Sequence, residues 1–412
     1  MKQILFYVLC VLCVQNSYAQ EKLGYQAFIN KVKENNIAYA AEKLNIGIAE
    51  AELRATKIFN DPTLSVEYAD NDDRRMLMGR SVGIELSKTF QLGVRSANID
   101  LAHSEKQLAD ALLTDYFHNL RTEATLAYIN AQRLNELARI KQITYDNIRR
   151  LADSDSIRFA LGEITQVDAT QSALEAGMLY NELLQAQADA LNACHDLSLM
   201  TGYDSIYVIP NDDLHAEVRL FDTHNLIQTA LDNRADLAAA LKNVDVAAKQ
   251  LKVTRRQRNP EFDLAIGYNY NTEVRNEIAP APQFNGVTVG ISVPLKLSNT
   301  NKGAVRAAEH RVRQAELNYR QAELEIRNSV MQSYAQYNAL LRQVRTYDSG
   351  LLHQAQKVLD GKTYSYRRGE TSLLEVLNAQ RTYDDVRATY IETLAACNSA
   401  LATLLRAAAI SE

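Results

Sequence analysis

The sequence predicts a mainly α protein with a membrane β-barrel: long antiparallel coiled-coil helices and four membrane strands per chain, in a two-fold internal repeat. Three observations predict it. Landmarks recur at a fixed separation: Gly83 with Gly290, Asp153 with Asp360, and Gly162-Glu163 with Gly369-Glu370, each 207 residues apart. All six prolines fall outside residues 63–209 and 295–412, and with only 15 glycines in the chain these runs permit unusually long helices. Short segments of period-two hydrophobicity interrupt the helical pattern, a pair of them in each half. Strands duplicated together with helices of matched length describe the wall of a tube.

The elements follow in order. Residues 1–19 read as a cleaved signal peptide: Lys2 supplies the positive start, residues 4–14 are almost wholly apolar, and Ser17-Tyr18-Ala19 is a small-x-small cleavage site. Leu9 and Leu12 precede Cys10 and Cys13, where an acylated cysteine needs a small neighbour, so lipidation is not expected. The first structural repeat spans 20–209. A helix from Lys22 and a helical stretch over 37–58 lead to Pro62, where a helix must give way to extended chain. Strands are expected at 63–70 and 80–91, with Leu64, Val66, Tyr68, Val82, Ile84 and Leu86 on one face, and long helices at 95–151 and 164–200.

The second repeat spans 210–412 and begins with a mixed, turn-rich segment to residue 222. A helical stretch over 237–257 ends at Pro260, with strands at 261–271 and 286–297 and helices at 301–360 and 371–406. Strands of this length match the span of a tilted membrane strand. The 57 residues of 95–151 and the 60 of 301–360 would make helices of roughly 85 and 90 Å. The second carries a heptad seam from Val305 to Ile326, a four-residue stutter to Val330, and a resumption through Tyr337, Leu340, Val344, Tyr347, Leu351 and Val358. The inter-strand loops, 70–79 and 272–285, differ in length while helix spacings stay equal, as outer-face loops tolerate growth and a tube wall does not.

Composition narrows the function. Beyond the leader no stretch of about 18 apolar residues exists, so a bilayer is crossed only as a closed barrel, which leaves no backbone group unpaired in lipid. Without residues 1–19 the chain holds 44 basic and 50 acidic residues, a net charge of −6 that argues against nucleic acid. Cys194 and Cys397 lack metal-knuckle spacing, and the seven histidines are scattered. The adjacent Cys194 and His195 point about 100° apart on a helix, which disfavours a shared metal. No catalytic constellation and no cofactor motif is present, so the chain reads as no enzyme.

At this point the chain resembles the TolC family of outer-membrane efflux proteins, across essentially the whole of residues 20–412. The matching segments are Asn60-Asp61-Pro62-Thr63-Leu64, Leu86-Ser87-Lys88-Thr89-Phe90, Asn233-Arg234-Ala235-Asp236-Leu237, and the run from Arg368-Gly369-Glu370-Thr371-Ser372 to Leu373-Leu374-Glu375-Val376-Leu377. Val293-Pro294-Leu295-Lys296-Leu297 followed by Asn301-Lys302-Gly303 is similar to the CzcC- and CusC-like heavy-metal branch, with Ser298 where that pattern carries an aromatic. The resemblance implies a homotrimer in outer-membrane lipid: a 12-stranded barrel over a 12-helix tunnel reaching into the periplasm. A periplasmic adaptor (membrane fusion) protein and an inner-membrane pump, such as an RND transporter, would complete a tripartite efflux path for metal cations or drugs. Two alternatives stay open: the outer-membrane duct of a type I protein secretion system, and a soluble periplasmic coiled-coil scaffold or adaptor.

The functional residues are expected at the helix reversals over 152–164 and 361–371. Gly162 and Gly369 permit sharp turns, and Thr165 and Ser372 stand where they cap the following helices. The resemblance implies that Gly162, Glu163, Thr165, Gly369, Glu370 and Ser372 form an adaptor-docking tip. Asp153, Asp155 and Asp360, with Arg158 and Arg367, are candidates for a periplasmic gate: threefold multiplication makes acidic rings that attract cations, or salt bridges with these and with Arg149 and Arg150 hold the mouth shut. A merely solvated surface cluster is the plain alternative.

Overall fold

The computed structural model describes residues 19–73, 75–202, 206–295 and 301–410. The expected leader, save Ala19, lies outside them, as do Lys296, Leu297 and Ser298 of the branch motif. The chain forms two compact units that cut across the sequence repeats: residues 1–41, 114–234 and 324–412 make one, residues 42–113 and 235–323 the other. Each draws on both repeats. Among the described residues no helix is long and apolar enough to cross a membrane.

The second unit holds an antiparallel sheet in the order β2 (Thr63–Asp70), β3 (Arg80–Gln91), β5 (Glu261–Asn271), β6 (Phe284–Ser292). Its register aligns whole rows across all four strands. Val66, Ile84, Tyr268 and Val287 form one row, and Glu67, Gly83, Asn269 and Gly286 the next. Alternate pleats point to opposite faces, so one face is apolar between Lys88 at one end and Asn285 at the other, and the opposite face is small and polar. The apolar face stands open: Val66 is 67% exposed and Val287 72%. Neither β2 nor β6 has an outer partner among the described residues, so both edges offer unpaired backbone groups. The strand expected to reach 297 stops at Ser292, before Pro294, which has no N–H for a ladder. In the same unit lie parts of α2 (Ile37–Thr56) and α7 (Lys302–Thr346), the start of α3 (Val94–Ala160), and α6 (Ala235–Arg256). Ion pairs join Lys106 to Glu50, Lys252 to Asp100 and Arg255 to Glu309.

The first unit contains two strands that were not anticipated. β1 (Ala19–Leu23) pairs in parallel with β4 (Ile206–Pro210), and the helix expected from Lys22 starts at Tyr25 as α1 (Tyr25–Asn35). Five-residue strands show no readable period, and the pairing is decided by tertiary contacts. The Tyr128 hydroxyl shares its one proton between the Leu23 carbonyl at 2.9 Å and the Asp212 carboxylate at 3.0 Å, while Tyr25 N–H donates to the same Asp212 at 2.7 Å. α4 (Gln166–Met200) packs against β4, and α5 (Thr223–Asn233) follows it in the chain.

The long helices of this unit correct three expectations. α3 runs 67 residues, about 100 Å, and ends at Ala160 rather than at 151. Residues 152–160 read as turn because Asp and Ser favour local backbone bonds, but buried Ala152 and Asp155 keep them helical. α7 is not continuous to 360. It gives way to a π-turn, Tyr347–Leu351, where Gly350 takes φ +121°, and resumes as α8 (Leu352–Arg367). A π-turn inserts one residue, so the apolar seam moves round the helix. Leu351 and Val358, expected inside, are 38% and 56% exposed, and Leu359 and Tyr366 are buried instead. The reversals shrink accordingly, to residues 161–165 before α4 (Gln166–Met200) and 368–372 before α9 (Leu373–Ala407).

Candidate functional site

Both reversals end their first helix in the same way. At the first, Gly162 N–H bonds the Phe159 carbonyl and Glu163 N–H the Arg158 carbonyl, both at 2.9 Å. At the second, Gly369 bonds Tyr366 at 3.0 Å and Glu370 bonds Ser365 at 2.9 Å. This is the Schellman pattern, which needs a left-handed residue at the turn. Gly162 and Gly369 supply it at φ +79° and +73°, and a Cβ at either would meet nothing within 4 Å. The glycines are therefore required by backbone conformation and not by crowding.

The caps that follow differ. The Thr165 hydroxyl accepts from Asp168 N–H at 3.2 Å. Ser372 occupies the corresponding position but makes no side-chain cap bond, and Thr371 instead donates to Glu375 at 2.8 Å, where Lys362 also binds. Glu375 is held below the usual carboxylate range, first by the Lys362 hydrogen bond.

The expected gate residues are not one cluster. Asp153 is exposed and, among the described residues, pairs with Arg149 at 3.3 Å, one turn away on its own helix. Asp360 lies exposed on α8, accepting from Gln356 at 2.9 Å, and Arg367 is exposed in the last turn of that helix. Arg150 bonds the Asp146 carbonyl and Asn147 and no expected acid. Asp155 is different: it has no exposed surface at all, which removes it from any ring of surface acids. The Tyr366 hydroxyl of α8 donates to its Oδ1 at 2.9 Å, and the Arg158 guanidinium stands 3.7 Å from the same oxygen and 5.2 Å from the Tyr366 ring centre. Oδ2 is buried with no hydrogen-bond partner. Burial pushes the Asp155 carboxyl above its ordinary range and the Tyr366 hydroxyl above its own.

Around this pair Ile148, Ala152, Ala176, Tyr366, Leu373, Val376 and Leu377 form one apolar cluster built from both helical hairpins, α3–α4 and α8–α9. Further up, Arg381 of α9 grips Glu175 of α4 at 2.7 and 2.9 Å, and Asp384 of α9 accepts from Thr144 of α3 at 2.8 Å. Burial pushes the Asp384 carboxyl up. Tyr366, Glu175, Arg381, Thr144 and Asp384 were not singled out in the sequence. The only signal for Tyr366 is its spacing of seven from Leu359, which the π-turn conceals by shifting the seam.

The first hairpin carries an open groove of about 830 Å³ lined by small residues such as Ala169, Ala173 and Gly177 and by Tyr145, Phe159 and Tyr180. Leu161, Val167 and Leu374 stand 69%, 72% and 56% exposed at the reversals. Cys194 and Cys397 are buried with thiols pushed up by burial; Asn135 faces Cys194 at 3.9 Å, while the His195 ring meets Tyr207 at 4.4 Å. Among the described residues no three His, Cys, Asp or Glu side chains converge as metal ligands.

Comparison with known proteins agrees with this architecture. Residues 226–409 match the family model described as outer membrane efflux protein. The cobalt-zinc-cadmium resistance protein CzcC of Cupriavidus metallidurans is 23% identical over 386 residues, covering 93% of this chain and 89% of that protein. The pyoverdine export outer membrane protein OpmQ of Pseudomonas aeruginosa is 26% identical over 71% of this chain and 60% of its own length. Among solved structures, CusC superposes with a TM-score of 0.76 at 19% identity over 96% of both chains. VceC of Vibrio cholerae does so with 0.73 at 18%, over 93% of this chain and 95% of its own. The repeat, the open-edged sheet and the paired long hairpins give this chain the fold of the outer-membrane efflux channels, and its second half matches the family model of outer membrane efflux proteins.

Proposed function

We propose that the protein is the outer-membrane exit duct of a tripartite efflux pump, that three copies close one barrel, and that metal cations are its cargo. The observation that carries the duct is the four-stranded sheet with one open apolar face and two unpaired edges. Such a sheet is stable neither alone in water nor alone in lipid, and joining copies edge to edge closes it. Three copies give 12 strands, four from each. Metal cargo is supported by the similarity to the CzcC protein, whose name gives cobalt, zinc and cadmium resistance. The OpmQ similarity favours a second reading, export of a small organic molecule.

In this reading the energy comes from an inner-membrane transporter, and a periplasmic adaptor docks at the reversals. The turns of Gly162, Glu163 and Thr165 and of Gly369, Glu370 and Ser372 present exposed Leu161, Val167 and Leu374, and a groove on the first hairpin offers a seat for a helical ridge. The gate works through the pin between Asp155 and Tyr366, which ties the first hairpin to the second, with Arg158 against the pin and Asp153, Asp360 and Arg367 as outer charges. Single-particle imaging of the detergent-extracted protein tests the duct. A threefold particle with a barrel in the micelle is expected, and a soluble monomeric or dimeric rod overturns it. Growth of a deletion strain on cobalt, zinc and cadmium salts then separates the two cargoes.

A further inference from the structure

We propose that the end of the sheet nearest the helices carries a binding site for the phosphate headgroup of an anionic phospholipid, formed by Lys88, Arg95, Phe59, Phe90 and Phe262. The inference rests on the membrane reading above. In β3 the pleat puts Lys88 on the same face as Ile84, Leu86 and Phe90, the face that is apolar along the rest of the strand. A lysine at the end of a lipid-facing row needs an anion or water. Among the described residues it has no carboxylate partner.

Aromatic rings surround it instead. Its ammonium lies 5.5 Å from the Phe59 ring centre and 5.8 Å from that of Phe90, and Phe90 stacks on Phe262 at 5.2 Å. The Arg95 guanidinium sits 3.9 Å from the Phe59 centre, so two cations flank one ring that is itself 64% exposed. One guanidinium nitrogen of Arg95 donates to the Lys57 carbonyl, and its Nε is buried with no partner. The two acids of β5 at this end stand on the other face: Asp263 accepts from Thr89 and Glu261 from Gln91, one pleat away from Lys88 and Phe262. Charge is therefore sorted by face, with cations and aromatics toward lipid and carboxylates away from it. Aromatic girdles mark barrel interfaces, and juxtamembrane cations draw anionic headgroups. Because the long helices leave the sheet at this end, the leaflet concerned is the periplasmic one.

The test uses the full chain purified as its detergent oligomer, with palmitoyl-oleoyl phosphatidylglycerol or phosphatidylcholine added and bound lipid read by native mass spectrometry. Wild type should prefer phosphatidylglycerol at least fivefold, and Lys88→Gln with Arg95→Gln should lower its binding by more than tenfold, at about fivefold for each cation. Lys88→Arg should retain the preference. Equal uptake of both lipids, or an unchanged preference in the double variant, overturns the proposal. Displacement by millimolar inorganic phosphate would make this a free-anion site and also overturn it. If the double variant alters only the oligomer distribution, the cluster belongs to the contact between copies and the lipid assignment falls. Failure of wild type to enter micelles at all would instead sink the membrane reading.

Discussion

The two helical hairpins come from one duplicated sequence and end in the same hydrogen-bonded turn, yet they are not equally braced. The first has an uninterrupted 67-residue helix and a capped return helix at Thr165. The second is broken by a π-turn at Gly350, and Ser372 leaves the start of its return helix without a side-chain cap bond. What holds the second hairpin at its tip is the first: the Tyr366 hydroxyl on buried Asp155, and Arg381 on Glu175. Duplication thus preserved the turn, which is local chemistry, and let the bracing diverge.

That comparison breaks first at its pin. Tyr366→Phe leaves Asp155 buried without its hydroxyl donor and should cost about 2–3 kcal/mol of local stability. Faster hydrogen exchange of the tip amides and a raised single-channel conductance are the expected readouts, with Asp153→Ala changing neither, since its partner Arg149 is on the same exposed helix face. The pin is also pH-dependent. The folded-state affinity of Asp155 for its proton is raised by burial, so its contribution is complete below the unfolded value and is lost as pH rises through the folded one. Tip exchange, corrected for its intrinsic rate, should accelerate with rising pH, and Asp155→Asn should flatten the profile.

Next comes the break in the second hairpin. Gly350→Ala forces a side chain into φ +121° and should cost about 2 kcal/mol, read as increased exchange confined to residues near 346–352. The shared turns follow. Gly162→Ala and Gly369→Ala should each cost about 1 kcal/mol, and equally, because neither added Cβ meets a neighbour. Unequal losses would mean the two turns are not the same device. The caps sharpen the contrast at the small end: Thr165→Ala should cost about 1 kcal/mol, and Ser372→Ala close to nothing, in the same exchange measurement.

Some of this was legible in the residues and some was not. The strands 63–70, 80–91 and 261–271 fall where alternation put them, because a two-residue period and bounding prolines are local signals. The turn glycines were equally plain. The extra nine residues of α3 were not, since Asp153, Ser154, Asp155 and Ser156 have turn-forming side chains that burial overrules. Nor was the seam beyond Gly350 legible, because a one-residue insertion in a helix leaves no mark in composition while moving every later apolar position. The candidate site divides in the same way. Its glycines and the Thr165 cap were readable. Its central pair joins residues 211 positions apart, and Asp155 looked like one more surface acid beside Asp153.

The sequence by itself determined the duplicated frame, the strands with one apolar face and the sharp reversals between long helices. Each follows from backbone preference and side-chain periodicity within a few residues. Only the tertiary structure decided which acid is buried, which hairpin leans on the other, how the parallel pair β1 and β4 forms, and how charge is sorted across the sheet near Lys88. Those outcomes depend on which side chains lose water together. That is a property of packing between segments far apart in the chain, and no local pattern encodes it.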